Sequence, residues 1–349
     1  MRADVPGINP TALDEWFIAN IPGVQPPLDF SLIAGGRSNI TYRVTDTTGQ
    51  GFVLRRPPLG HVLATAHDMG REHRIISALA PSAVPVPPAL GHCDDASVND
   101  APFYVMAFVD GHVINTADDA DAAMPDHEAR RRTGEQIADI LADLHRVDVD
   151  AIGLGDLARR EGFLDRQLKR WRSQWESSKT RDLADMDAAF DLLIEHKPPQ
   201  RYTGIVHGDY RIGNMLARSE GGINAVLDWE LCTLGDVLAD VGYLLNYWPE
   251  PGDDMTGFVD PQPTVSGGFL ARDEVVERYA TSGGFDVTDV SYYRAFSYWR
   301  SAAIVEGVKR RYIEGVMADD AVDPQVYDRR VVHLAAQSLA LISSLRSPA

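Results

Sequence analysis

The chain reads as an α+β protein in two lobes: a smaller N-terminal lobe built on an antiparallel sheet plus a helix, and a larger, mainly helical C-terminal lobe. Three observations predict this. Apolar residues follow a period of two through DFSLIA, ITYRVTD and FVLRRPP, and turn residues separate these runs. Beyond Val109-Asp110-Gly111 the period becomes helical, most clearly over 126–146, where Ile137, Ile140, Leu141 and Leu144 share a face. At 349 residues the chain is too long for one core of ordinary size.

In order, residues 1–28 hold a helix at 11–19, entered through Asn9-Pro10-Thr11, closed by Pro22-Gly23 and Pro26-Pro27, and expected to form a flap. Residues 29–108 form the N-lobe. Its first turn carries Gly35 and Gly36, which let backbone N–H groups approach a ligand, with Ser38 and Asn39 as added donors. The third strand ends at Arg55-Arg56. A helix at 66–79 places Met69, Ile75, Ile76 and Leu79 on an incomplete apolar face, with Glu72 near its middle. Two further strands follow, near 89–93 and 102–109, on either side of the polar loop 94–100. The second ends in Met106, Ala107, Phe108 and Val109, a natural lobe boundary.

Residues 109–349 form the C-lobe, with helices expected at 126–146, 162–177, 183–196, 237–248, 271–281, 291–314 and 323–345. A Pro/Gly-rich loop over 249–268 is long enough to be functional and is read as lining a substrate pocket. His145 is assigned to the C-terminal end of its helix as a dipole partner, and Asp236 to capping the next helix or tying down a loop. The aromatic run ending in Trp299 is core, with Trp299 and Arg300 near enough to reach an acceptor.

Composition narrows the function. Lys and Arg total 33 against 51 Asp and Glu, a net charge of −18, which opposes non-specific nucleic-acid binding and attachment to anionic membranes. Cys93 and Cys232 are far apart, with no CxxC spacing, so neither a disulfide framework nor a zinc site is expected. The N-terminus lacks a signal-peptide pattern and no run reaches about 18 apolar residues. A soluble cytoplasmic protein is the expectation, with oligomeric state left open.

The chemistry concentrates in IVHGDYRIGNMLARSEGGINAVLDWE, residues 205–230. His207, Asp209 and Asn214 match the His-x-Asp-x4-Asn spacing of a protein-kinase catalytic loop, and Asp228 follows on a later β-run. Phosphoryl transfer needs one carboxylate to accept a hydroxyl proton, and an amide oxygen plus a second carboxylate to hold Mg²⁺ against nucleotide phosphates. Asp209 is the candidate base, His207 its orienting partner, and Asn214 and Asp228 the candidate metal ligands. Upstream, Gly35-Gly36, Arg55 and Glu72 fall in the order of the kinase phosphate loop, strand cation and helix acid.

With these residues in place, the chain resembles the aminoglycoside phosphotransferase-type kinases, a branch of the protein-kinase-like fold. The resemblance runs from about Ile33 to about Gly315. Its most specific part is VHGDYRIGNMLA with AVLDWELCTLGDVLADVGYLL, where HGD stands for HRD and LDWE for DFG. LRRPP, REHRIISAL and YWRSAAIVEGVKRR are similar to the kinase-like domains associated with acyl-CoA dehydrogenases. The resemblance implies ATP- and Mg²⁺-dependent phosphorylation of a small-molecule hydroxyl, with hydroxylated acyl thioesters as candidate acceptors. It also implies that the backbone of Met106, Ala107, Phe108 and Val109 faces the adenine. An antibiotic-modifying kinase and an inactive nucleotide-binding pseudokinase are the competing readings. The chain departs from the family pattern where Arg55 or Arg56 stands in place of the usual Lys, a change that swaps a point charge for a bidentate fork.

Overall fold

A computed structural model describes residues 5–35, 39–59, 68–315 and 324–345. The chain divides into two compact units. The first comprises Met1–Gly111, Ile152–Leu154 and Asn224–Glu230; the second comprises His112–Ala151, Gly155–Ile223 and Leu231–Ala349.

The first unit opens with α1 (Pro10–Asn20), whose Asn9 side chain accepts from the Ala12 N–H at 3.3 Å. Strands β1 (Asp29–Gly35), β2 (Ile40–Thr45) and β3 (Gly51–Arg56) follow. Next come α2 (Met69–Leu79), β4 (Ala89–Cys93), the short α3 (Ala96–Asn99) and β5 (Phe103–Ala107). The strands form one five-stranded sheet in the order β1-β2-β3-β5-β4, and every neighbouring pair is antiparallel. The β2–β3 turn is set by Asp46, whose Oδ1 accepts from the Thr48 and Gln50 N–H groups at 2.9 and 3.0 Å. Leu13 and Phe17 of α1 join Val44, Phe52, Leu54, Phe103 and Val105 in one apolar cluster. Trp16 lies so close to Gly91 that a Cβ there would sit 2.8 Å from the indole. The N-terminal helix is thus a packed part of this unit.

The second unit is mainly helical. It contains α4 (Ala117–Ala123), α5 (His127–Arg146), α6 (Phe163–Ser178) and α7 (Ala184–Glu195). After these come β6 (Gly204–Val206) and β7 (Met215–Ala217); β8 (Ile223–Val226) carries the chain across the unit boundary, and β9 (Thr233–Gly235) pairs antiparallel with β6. Helices α8 (Leu238–Asn246), α9 (Arg272–Gly283), α10 (Val290–Ile313) and α11 (Pro324–Ser344) complete it. Helix α10 packs on α8 and α11, and α5 packs on α9. Trp175, Trp248 and Trp299 are fully buried here. No helix of the described residues is long and apolar enough to cross a membrane.

Helix ends fall within one to three residues of the sequence reading wherever they are described. Helix α4 was not expected. A Thr116–Asp119 capping box specifies it: Asp119 N–H donates to Thr116 Oγ1 at 3.1 Å and Thr116 N–H to Asp119 Oδ2 at 2.9 Å. Helix α3 replaces part of the expected polar loop, started by Asp95, which accepts from the Ser97 N–H at 2.9 Å.

Candidate active site

In the first unit the pleat of β3 sends adjacent arginines to opposite faces. Arg55 Nη1 lies 3.5 Å from Glu72 Oε2, and its Nη2 donates to Asp228 Oδ1 at 3.1 Å. Arg56 instead donates to the carbonyls of Gly7 and Asn99, holding the segment before α1. Of the two arginines that sequence left as alternatives, Arg55 is the one that meets the acids. Glu72 also accepts from Tyr104 Oη at 3.1 Å and from Asn39 Nδ2 at 2.7 Å, while Asn39 donates a second bond to Glu230 at 3.2 Å. Burial pushes the Glu72 carboxyl upward, against the pull of Arg55. For Arg55 burial opposes the charge, but the surrounding acidic groups outweigh it and the guanidinium stays cationic. Asp228 has a φ of +67°, a left-handed conformation that costs a non-glycine residue free energy and clusters at functional sites.

Gly35 closes β1 opposite Ile40. Gly36 and Ser38 lie outside the described residues. Met106 and Ala107 end β5; the Ala107 N–H donates to Pro88 O at 2.9 Å and the Phe108 N–H to Gly51 O at 3.4 Å. The segment running to Val109 is therefore anchored at two of its amides.

In the second unit β6 delivers the chain into the His207–Asn214 loop. Gly208 has a φ of +86°, and a Cβ there would lie 2.9 Å from the Leu231 carbonyl oxygen, so the residue after His207 must lack a side chain. Asp240 of α8, buried, accepts from the His207 and Gly208 N–H groups at 2.6 and 2.9 Å. Burial works against its charge, but these donors and His145 hold its carboxyl below the usual range. The His145 Nε2 lies 3.5 Å from Asp240, and its Nδ1 is 2.8 Å from Tyr279 Oη. A carboxylate only accepts, so Nε2 carries the proton and Nδ1 accepts from the tyrosine. His145 is thus a buried strut of the loop, a role its place at a helix end does not disclose. From the other side, Arg300 Nη2 donates to Gly208 O at 3.1 Å.

Asp209 leaves this loop half-buried. Its Oδ2 accepts from Asn214 Nδ2 at 2.7 Å, its Oδ1 accepts from Tyr243 Oη, and Arg211 Nε is 3.5 Å away. The Asp209 N–H donates to His207 Nδ1 at 3.2 Å, and the His207 side chain is buried. Asp209, Arg211 and Tyr243 line a cavity of about 340 Å³ together with Asn115, Thr116, Tyr247, Phe258, Val259, Asp260, Gln262 and Arg330. Four of these lining residues come from the 249–268 loop.

Two expectations need correction. Trp299 is fully buried, its Nε1 donating to Met186 O at 3.1 Å, and Arg300 spends its guanidinium on Gly208 and the Tyr243 ring at 4.9 Å; neither lines the cavity. Of the two roles open to Asp236, the loop is tied down by Asp240 instead, while Asp236 does meet the first N–H of α8, accepting from Leu238 at 3.3 Å as well as from Tyr293 Oη at 2.5 Å. Burial pushes the Asp236 carboxyl up to about 6. Because its folded value exceeds the ordinary carboxylate value near 4, its stabilising contribution is full below about pH 4 and is lost as pH rises through about 6. Relative to Asp236→Asn, the wild type is expected to lose about 2 kcal/mol of stability between pH 4 and pH 7. Urea unfolding of both proteins across that range checks it, and a pH-independent difference would refute the assignment.

The His207–Asn214 loop, its Asp209 carboxylate and the Arg55–Glu72 pair are the features against which similarity to known proteins can be weighed. Residues 29–286 match the family described as "Phosphotransferase enzyme family". The chain belongs to that family. The family is one of phosphotransferases, as the sequence resemblance implies. Over 295 residues it is 35% identical to mouse acyl-CoA dehydrogenase family member 10, covering 83% of this chain and 27% of that protein. A chicken acyl-CoA dehydrogenase family member 11 is 31% identical over 96% of this chain and 43% of its own length. The chain thus spans less than half the length of these curated relatives. A solved structure of a candidate aminoglycoside phosphotransferase from Ralstonia eutropha superposes with a TM-score of 0.81 at 30% identity, covering 97% of this chain and 99% of that one. A thermostable aminoglycoside phosphotransferase, solved with AMP-PNP and hygromycin B, shares the fold at a TM-score of 0.61 and 16% identity, covering 97% of this chain and 100% of that one.

Proposed function

We propose that this phosphotransferase moves the terminal phosphoryl group of ATP to a hydroxyl of a small molecule, with hydroxyacyl thioesters as the acceptor class. The observation that carries the reading is Asp209, held by Asn214 and Tyr243 at the wall of a cavity of about 340 Å³. As the acceptor oxygen attacks, Asp209 takes its proton. His207 positions the Asp209 peptide through the Nδ1 contact, and Asn214 fixes the orientation of the carboxylate. Arg55, kept cationic and aligned by Glu72, is assigned to the nucleotide phosphates, with Gly35, Gly36, Ser38 and Asn39 as further members of that region. Ala107 and Phe108 already use their N–H groups, so the N–H offered to a purine is assigned to Val109.

The donor chemistry fits magnesium. An ionised carboxylate only accepts, so of the two ends of the Asn214 amide the nitrogen faces Asp209, which leaves the amide oxygen as a ligand for a hard cation. Asp228 offers a carboxylate from a conformation that is costly to maintain. When bound, Mg²⁺ neutralises phosphate charge as the phosphoryl group transfers.

The acyl-thioester assignment leans on the names of the relatives at 31–35% identity, whereas the antibiotic-bound neighbour stands at 16%. A pseudokinase reading is disfavoured because Asp209, Asn214 and Asp228 are all present. The test is coupled ADP release over a panel of hydroxyacyl thioesters, aminoglycosides and simple alcohols. Turnover is expected with the thioesters. MgATP binding without turnover on any acceptor would point to the binding module, and turnover confined to aminoglycosides to the antibiotic kinase.

A further inference from the structure

We infer that the cavity beside Asp209 takes an acceptor bearing an oxyanion, a carboxylate or a phosphate, and that Arg330 is the residue that holds it. The inference rests on the phosphotransfer reading above, because it treats this cavity as the acceptor site.

Two cations line the cavity, and their circumstances differ. Arg211 is engaged, with its Nε 3.5 Å from Asp209 Oδ1 and its guanidinium 5.7 Å from the Tyr247 ring centroid. Arg330, from α11, donates through Nε to the Gly257 carbonyl at 3.1 Å and lies 6.0 Å from the Tyr327 ring. Among the described residues, no carboxylate lies within ion-pairing distance of Arg330. A guanidinium carries five N–H donors in a planar fork, and the Gly257 bond uses one on its inner edge. The terminal nitrogens form the pattern that binds carboxylate or phosphate bidentately.

The rest of the lining selects the same chemistry. Tyr243, Tyr247 and Phe258 form an aromatic wall, with Tyr247 and Phe258 edge-to-face at 5.6 Å. Of the lining residues, only Asp209 and Asp260 supply negative charge, and Asp209 already has Arg211 beside it. A polycationic acceptor would face two arginines with one uncommitted acid, despite a net charge of −18 for the chain. About 340 Å³ suits the reactive end of a small acceptor.

The experiment compares matched probes on wild type, Arg330→Gln and Arg330→Lys. Hydroxycarboxylates of two to six carbons are set against their methyl esters, and glycerol 3-phosphate against glycerol; product formation and calorimetric binding are both read. Wild type is expected to favour the anionic member of a pair by roughly ten- to hundredfold in kcat/KM. That preference collapses in Arg330→Gln through KM more than kcat, and returns in part in Arg330→Lys. Whether the carboxylates or the phosphates respond identifies the oxyanion. Equal use of acid and ester by wild type, or equal loss on both in Arg330→Gln, overturns the inference while leaving phosphotransfer intact. If no probe is phosphorylated but an anionic probe binds to wild type and not to Arg330→Gln, the anion site stands, and the phosphotransfer reading is decided by the thioester panel above. If no anionic probe binds at all, the inference is overturned.

Discussion

Asp209→Asn is expected to lower turnover by roughly a hundred- to ten-thousandfold while MgATP affinity changes by no more than a few-fold. The substitution is close to isosteric. The amide oxygen can still accept from Tyr243 or Asn214, so loop geometry survives, but the group no longer takes a proton. Asp209 is only half-buried and lies on the cavity wall, so its work falls in the transition state and on the acceptor side. The checks are kcat from ADP release and MgATP affinity from calorimetry. Parallel losses in both would show that Asp209 serves nucleotide binding, and the role of base would have to be abandoned.

The second large effect concerns a residue that touches neither substrate. Asp240→Ala strands the buried His207 and Gly208 N–H groups and removes the acceptor facing His145. Breaking such a buried charged network costs about 3–5 kcal/mol, since each orphaned donor keeps its desolvation penalty. Asp240→Asn keeps one acceptor oxygen and should cost visibly less. Urea unfolding orders the three proteins, wild type, Asn and Ala. Where the folded fraction is matched, turnover should fall further in the Ala variant than in the Asn variant, because the peptide that carries Asp209 loses its anchor. Equal stability for wild type and Asp240→Ala would remove the strut from the account.

The antiparallel sheet was legible because its strands are short runs of period two between strong turn signals, and the long helices because their apolar faces repeat over many turns. His207, Asp209, Asn214 and Asp228 stood out because their spacing is local. Asp240 and Tyr243 were not singled out for the site, and Arg300 was read as reaching an acceptor when it braces the Gly208 carbonyl, since their partners lie tens of residues away in sequence and no local period encodes such contacts. One clue was present: LADVGYLL buries an Asp in an otherwise apolar helix, and a buried carboxylate needs donors. Strand β9, of three residues, was too short to carry a pattern. The choice between Arg55 and Arg56 needed the strand register, which pairs Thr41 with Arg55 and Ile40 with Arg56.

That register has a consequence for robustness. Tandem arginines look like a spare part, one ready to cover for the other. On a pleated strand hydrogen-bonded along both edges they are not interchangeable, because neither side chain can cross the sheet to its neighbour's post. Inserting or deleting one residue ahead of them in β3 would leave both arginines in the sequence and turn each to the opposite face of the sheet. Such a chain would keep the tandem motif while neither arginine kept its own post, Arg55 leaving Glu72 and Arg56 leaving the Gly7 carbonyl.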